Sequence, residues 1–160
     1  MDSSAEESDE WANYYTKGLI SKLDDKIYLT DFYGAEKHDK LKELGVVRII
    51  SLGGITEHKV YKKSDDFEYL SILLDDEEDE DISIYFKETN KFILESPGPV
   101  LIHCWAGISR SVSIVIAHFI LSKKMSYLQS FFAIKAIRPF ISPNVGFMEA
   151  LCKLQNFKND

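Results

Sequence analysis

A cysteine and an arginine with five residues between them, Cys104 and Arg110, stand in the stretch "PVLIHCWAGISRSVSIVIAHFI" (99–120). The apolar run 100–102 leads through His103 into Cys104. A short loop carrying Gly107, Ser109, Arg110 and Ser111 follows, and then an apolar helix. A packed core cysteine needs none of these neighbours. A nucleophilic one needs them all. A loop that leaves a strand and enters a helix can point several N–H groups into one concavity, with the positive end of the helix behind them. Such a nest suits a tetrahedral oxyanion such as phosphate. Trp105, Ala106, Gly107, Ile108, Ser109 and Arg110 are therefore the expected anion-binding residues. Gly107 supplies the backbone freedom to curl the chain. Thiols beside a helix N-terminus and a cation titrate at roughly 3.5–7.5, so a thiolate nucleophile is expected at the base of the loop. Arg110 can hold two phosphate oxygens with its planar fork. Ser111 is placed to hydrogen-bond the sulfur and make it a better leaving group.

The elements around the loop are expected as follows. "KIYLT" (26–30) reads as a strand and "AEKHDKLKELG" (35–45) as a helix closed by Gly45. "VVRIISLGG" (46–54) reads as a strand ending in a glycine turn. "FEYLSILL" (67–74) reads as a strand buried on both faces. Seven consecutive acids, "DDEEDED" (75–81), precede a helical stripe of Ile82, Tyr85, Phe86, Thr89 and Ile93, which "SPGP" (96–99) ends. "VLIH" (100–103) is the next strand, followed by a helix from about 109 to 123. Ser126 with Gln129 predicts a capping box and a helix to about 138. Ser142 with Pro143 predicts the cap and first turn of the last helix. Strands alternating with helices predict an α/β fold with a mostly parallel central sheet flanked by helices.

The chain has 160 residues, 45% of them hydrophobic, and a formal net charge of −7. One globular domain over 11–160 is expected, behind an acidic mobile tail at 1–10. The charge argues against nucleic acid or an anionic membrane as partner. No signal peptide is legible, and two cysteines form no disulfide framework, which makes the expected site cytoplasmic, with the nucleus also open. Cys152 reads as core, and His38, His58 and His118 as structural or surface residues.

"HCWAGISRS" resembles the signature of cysteine-dependent protein tyrosine phosphatases, and most closely that of small, single-domain, atypical dual-specificity phosphatases. The resemblance covers about residues 22 to 157. "KIYLTDFYGAEKHDKLKELGVVRIISL" is similar to the family's opening strand, helix and strand, and "RPFISPNVGFMEALCKLQ" to its closing segment. Asn144 occupies the family's Pro-Asn position. "YLTD" replaces a common Leu-Gly pair, and His118 stands where Tyr is common. The resemblance implies a phosphocysteine intermediate, no metal and no cofactor. It also implies support of Cys104 by His103, and a general-acid aspartate on a separate loop. Asp75 and Asp76 both follow the strand. The family spacing back from Phe86, with Ile82 on the apolar stripe, selects Asp76 over Asp75.

The reading that follows is a protein phosphatase acting on phosphotyrosine and phosphoserine or phosphothreonine. Phosphorylated proteins, kinases among them, are the expected partners, and the oligomeric state is left open. Two alternatives remain. One is a phosphatase of phosphoinositides or RNA 5′-phosphates, against which Trp105, Ala106, Ile108 and Ser109 are uncharged. The other is a phosphoprotein-binding module, against which Cys104 is present. A rhodanese-like sulfur carrier would need neither the acid loop nor Ser111. The acidic run reads as a solvated face that could favour basic segments of protein substrates.

Overall fold

The computed structural model describes residues 16–158. The tail expected at 1–10 lies outside the described residues. Alternation of buried side chains builds the centre. Ile27 and Leu29, Val100 and Ile102, and Ile50 and Leu52 face one apolar cluster. Tyr28, Leu101 and Ile49, interleaved with them, face a second. Period-two burial on both faces is what a sheet covered on two sides requires.

The strands are β1 (Ser21–Lys22), β2 (Ile27–Thr30), β3 (Arg48–Gly53), β4 (Glu68–Leu73) and β5 (Val100–His103). Among the described residues they form one sheet in the order β1-β2-β5-β3-β4. β1 is antiparallel to β2, and the other pairings are parallel. The α/β architecture with a mostly parallel sheet is thus as expected. Thr30 and Ser51 both pair with His103, so β2, β5 and β3 come level just before Cys104. The carboxyl ends of parallel strands are where such sheets hold ligands.

The helices are α1 (Phe32–Ala35), α2 (His38–Glu43), α3 (Ile55–Val60), α4 (Phe86–Leu94), α5 (Arg110–Lys123), α6 (Tyr127–Ile137) and α7 (Val145–Lys158), and a 3₁₀ turn, Ile82–Tyr85, leads into α4. α5 is buried from Arg110 through Ile120, as an apolar helix without a polar face must be. It packs between the larger sheet face and α4, α6 and α7. Ser126 and Gln129 form the reciprocal capping box of α6. Ile82, Phe86, Thr89 and Ile93 are buried along the expected stripe.

Several expectations require correction. The helix expected over 35–45 is two helices. Asp31 caps α1 by accepting from the Gly34 N–H at 2.8 Å, which starts helix ahead of Ala35. Gly45, at φ +84°, ends the segment as expected. β4 is an edge strand and is not buried on both faces; Leu73 is 55% exposed. Its apolar end reflects Ile72 and Leu74, which are buried. The last helix is capped by Asn144, whose Oδ1 accepts from the Phe147 N–H at 2.9 Å, and not by Ser142. The Ser142 N–H is instead engaged by the Ile108 carbonyl at 2.8 Å, which draws this segment against the Cys104 loop. β1 and α3 had no counterpart among the expected elements.

Candidate active site

Cys104 follows β5 directly and is 2% exposed. Its Sγ lies 3.1 Å from Ser111 Oγ, on the second residue of α5. The loop between them is tied down on several sides. Gly107 has φ +65°, and a Cβ there would lie 2.5 Å from Arg138 Nη2 and 2.8 Å from the Thr30 carbonyl oxygen. Glycine is required at that point on both counts. The Gly107 carbonyl accepts from Arg138 Nε at 2.9 Å. Arg138 is itself fully buried and donates through Nη1 to the Leu19 carbonyl and Ser21 Oγ. The Trp105 carbonyl accepts from the Phe32 N–H at 2.9 Å. The Trp105 ring stacks on Phe32 at 4.5 Å and 8°, with Tyr61 beside them, and stays 37% exposed. Ala106 and Ile108 are half-buried.

His103 is buried, and burial holds its pKa down to about 4, so the ring is neutral. Nδ1 faces the Cys104 carbonyl at 3.2 Å and Nε2 faces Ser51 Oγ at 2.8 Å. A carbonyl can only accept, so Nδ1 carries the proton and Nε2 accepts from Ser51. His103 thereby fixes the backbone at Cys104. Tyr61 crosses its ring edge at 4.8 Å and donates to the Leu52 carbonyl at 2.9 Å. Burial, with the Glu57 and Cys104 charges, pushes the Tyr61 hydroxyl up, so it remains a donor.

Arg110 is 7% exposed and is gripped by a partner that sequence reasoning missed. Glu57, on α3, accepts from Nη1 at 2.5 Å and from Nη2 at 3.0 Å. Nη1 also donates to the Leu74 carbonyl at 3.0 Å. Burial alone would lower the guanidinium pKa; the Glu57 hydrogen bonds and the nearby negative charges outweigh it and hold it above its ordinary value. Burial likewise opposes ionisation of Glu57, yet the Arg110 hydrogen bonds and the Gly54 N–H keep its carboxyl below the usual range. Arg110 has five N–H groups. These contacts use both hydrogens of Nη1 and one of Nη2. Nε is buried without a partner among the described residues. One complete edge, Nε–H with the second Nη2–H, is left for a bidentate oxyanion. The signal for Glu57 was present in "GITE": Gly54 starts α3 and the Glu57 carboxylate accepts from its N–H at 2.9 Å, the spacing of a capping box.

The acidic run divides within its first two residues. Asp76 Oδ1 accepts from Ser109 Oγ at 2.7 Å and from Asn144 Nδ2 at 2.9 Å. Ser109 Oγ accepts in turn from the Asn144 N–H at 3.0 Å. Asp76, Ser109 and Asn144 thus join the acid segment, the Cys104 loop and the cap of α7. Asp75 turns toward Gly54, where a Cβ would lie 2.2 Å from its Oδ1. Among the described residues no group of three His, Cys, Asp or Glu side chains could hold a metal ion, and no helix is long and apolar enough to cross a membrane. Cys152 is half-buried on α7 against the core. His118 is buried on α5, with Nδ1 2.8 Å from Asn90 Oδ1.

Comparison with known proteins follows the same pattern. A dual specificity phosphatase catalytic-domain model matches residues 27–157. The chain is 32% identical over 139 residues to dual specificity protein phosphatase 22-A of Danio rerio, covering 85% of this chain and 65% of that protein. It is 32% identical over 145 residues to dual specificity protein phosphatase 1 of Arabidopsis thaliana, covering 89% and 72%. The crystal structure of human tyrosine phosphatase-like serine/threonine/tyrosine-interacting protein superposes with a TM-score of 0.83 at 29% identity, covering 88% of this chain and 98% of that one. The family match takes in β2 to β5, the Cys104 loop, the acid segment and α7 as far as residue 157, and on that ground the chain belongs to the dual specificity phosphatase family.

Proposed function

We propose that the protein is a phosphatase of phosphotyrosine and phosphoserine or phosphothreonine in proteins, working through a phosphocysteine intermediate. The observation that carries this reading is the Nε–H of Arg110, buried and without a partner among the described residues, on a guanidinium that interacts electrostatically with a buried cysteine whose sulfur meets Ser111. Two phosphate oxygens take the Nε–Nη2 edge of Arg110, and the loop amides and the α5 N-terminus receive the rest of the anion. The Cys104 thiolate attacks phosphorus. A sulfur–phosphorus bond forms as the bond to the side-chain oxygen breaks, and Asp76 gives the departing oxygen a proton. Both hydrogen bonds to Asp76 fall on Oδ1, so Oδ2 is assigned the proton. Water then attacks phosphorus, Asp76 takes the water's proton, and the electron pair of the breaking bond returns to sulfur. Ser111 donates a hydrogen bond to that sulfur. Ser109 and Asn144 position Asp76. No metal or cofactor enters this scheme.

Uncharged side chains at Trp105, Ala106, Ile108 and Ser109 favour phosphoprotein over a polyanionic phosphoinositide or RNA end. The protein partners and a cytoplasmic or nuclear site belong to the same proposal. The test is turnover of matched phosphotyrosine, phosphothreonine and phosphoinositide substrates by the wild type and Cys104→Ser. Hydrolysis of both phosphopeptides, abolished by Cys104→Ser with phosphopeptide binding retained, is expected. Turnover of the phosphoinositide alone would overturn the substrate assignment. Binding without turnover by the wild type would turn the protein into a phosphoprotein-binding module.

A further inference from the structure

A groove of about 800 Å³ lies behind the acid segment and is separate from the Cys104 pocket. Its walls are the later acids, the start of α4, Leu121 of α5 and the length of α7 from Gly146 to Phe157. Phe86, Ala150 and Leu154 give it an apolar lining, and Phe157 stands at it 78% exposed. Glu78, Glu80, Asp81 and Glu149 contribute four carboxylates, against Lys87 and Lys153. The groove is therefore apolar within and acidic around, in a chain of net charge −7.

We infer that this groove docks a basic segment of a partner protein that inserts an apolar side chain between arginines or lysines. Charge complementarity selects the basic residues, since an acidic or neutral segment would leave the excess carboxylates unpaired. The apolar lining selects the anchor, and the exposed Phe157 ring supplies the kind of aromatic contact that dominates such interfaces. The groove also adjoins the clamp on Asp76. A Cβ at Gly146 would lie 2.0 Å from the Glu78 carbonyl oxygen, so α7 and the acid segment meet without a gap. Glu78 and Gly146 are each two residues from Asp76 and Asn144 respectively. A segment seated here touches both elements that hold the acid, and no residue of the phosphate loop lines the groove. Docking itself requires no turnover and stands apart from the reaction assigned to Cys104.

The experiment uses the full chain and a short fluorescein-labelled peptide with leucine and phenylalanine anchors between arginines, read by fluorescence anisotropy. Saturable binding is expected, weakening as salt is raised from low to physiological concentration. Cys104→Ser is expected to bind equally well, which separates this result from the fate of the catalytic proposal. The double variant Glu149→Lys with Phe157→Ser alters two exposed side chains. It should weaken binding by at least about tenfold while hydrolysis of a small aryl phosphate stays at the wild-type rate. A peptide with its arginines replaced by glutamates should not bind. Equal binding by wild type and double variant, or binding of the glutamate peptide, overturns the inference. Concentration-dependent dimerisation in analytical ultracentrifugation that Phe157→Ser abolishes would also overturn it, by assigning the groove to a second copy of the chain.

Discussion

Glu57→Gln tests how Arg110 is presented to phosphate. Glu57 accepts from both Nη atoms of Arg110, with side-chain exposures of 8% for the arginine and 21% for the glutamate, so solvent screens the pair weakly. Glutamine keeps one oxygen for Nη1 but turns an NH₂ group toward Nη2. An acceptor is thereby exchanged for a donor at the nitrogen that phosphate must share. The loss is one charge-assisted hydrogen bond, worth about 1.5–3 kcal/mol, which predicts a fall in kcat/KM of about 10- to 150-fold. The Leu74 carbonyl still holds Nη1, so the side chain should not leave the site altogether. The assay is steady-state hydrolysis of an aryl phosphate, with the inhibition constant of inorganic phosphate measured alongside. Both should weaken together, because the same edge of Arg110 binds substrate and inhibitor. A merely structural Glu57 would lower the melting temperature and leave the phosphate inhibition constant of the folded fraction unchanged. An unchanged or increased kcat/KM would refute the argument and make Glu57 a competitor for Arg110 instead.

Asp76→Asn should lower the rate on a phosphopeptide by roughly 10²–10⁴-fold and matter far less for an aryl phosphate whose leaving group needs no proton. Asp75→Asn should do neither, because Asp75 packs toward Gly54; the reverse pattern would shift the acid by one residue. Ser111→Ala should slow breakdown of the phosphoenzyme more than its formation, giving a stopped-flow burst followed by slow turnover; equal slowing of both steps would remove the sulfur contact from the mechanism. Stability should fall with pH below about 6.5. His103 and His118 are both buried, and burial holds each near a pKa of about 4 against an ordinary 6.5. The unfolded chain therefore takes up their protons first, and the stability present above 6.5 is lost progressively toward 4. At pH 5 the two together cost about 4 kcal/mol, and His118→Gln should halve the loss of unfolding free energy between pH 7 and 5, measured by urea titration at each pH. A flat stability between pH 7 and 5 would show that neither ring is held neutral.

Legibility followed the range of the interactions. The strand, loop and helix around Cys104 could be read because every part lies within about twenty consecutive residues and carries its own local signal: apolar strand, Gly107, helix start. The α6 capping box and the stripe from Ile82 to Ile93 were legible for the same reason. The edge position of β4 was not, because "YLSILL" reads the same whether a neighbour covers it or water does. Only the strand order decides, and pairing with β3 alone leaves Leu73 exposed.

Residues that complete the site from a distance were the least legible. Glu57 is 53 positions before Arg110; Asn144, 68 positions after Asp76, was named through the family resemblance, though its contact with Asp76 was not. Arg138 meets Gly107 across 31 positions, from the end of α6. Each is a common residue in an ordinary local setting, and nothing local marks it as part of a phosphate site. What marks it is burial of a charge or of a polar group, and burial is a property of the folded topology. A buried guanidinium needs hydrogen-bond partners, and Arg138 finds them in the Gly107 and Leu19 carbonyls and the Ser21 hydroxyl, the first on the loop that the oxyanion site needs held still. Glu57 does the same for Arg110. Each long-range contact that satisfies a buried group therefore also removes a degree of freedom from the loop. Stabilising the fold and pre-organising the anion site are one and the same set of hydrogen bonds here, and for that reason substitutions at Glu57 or Arg138 should alter stability and phosphate affinity together.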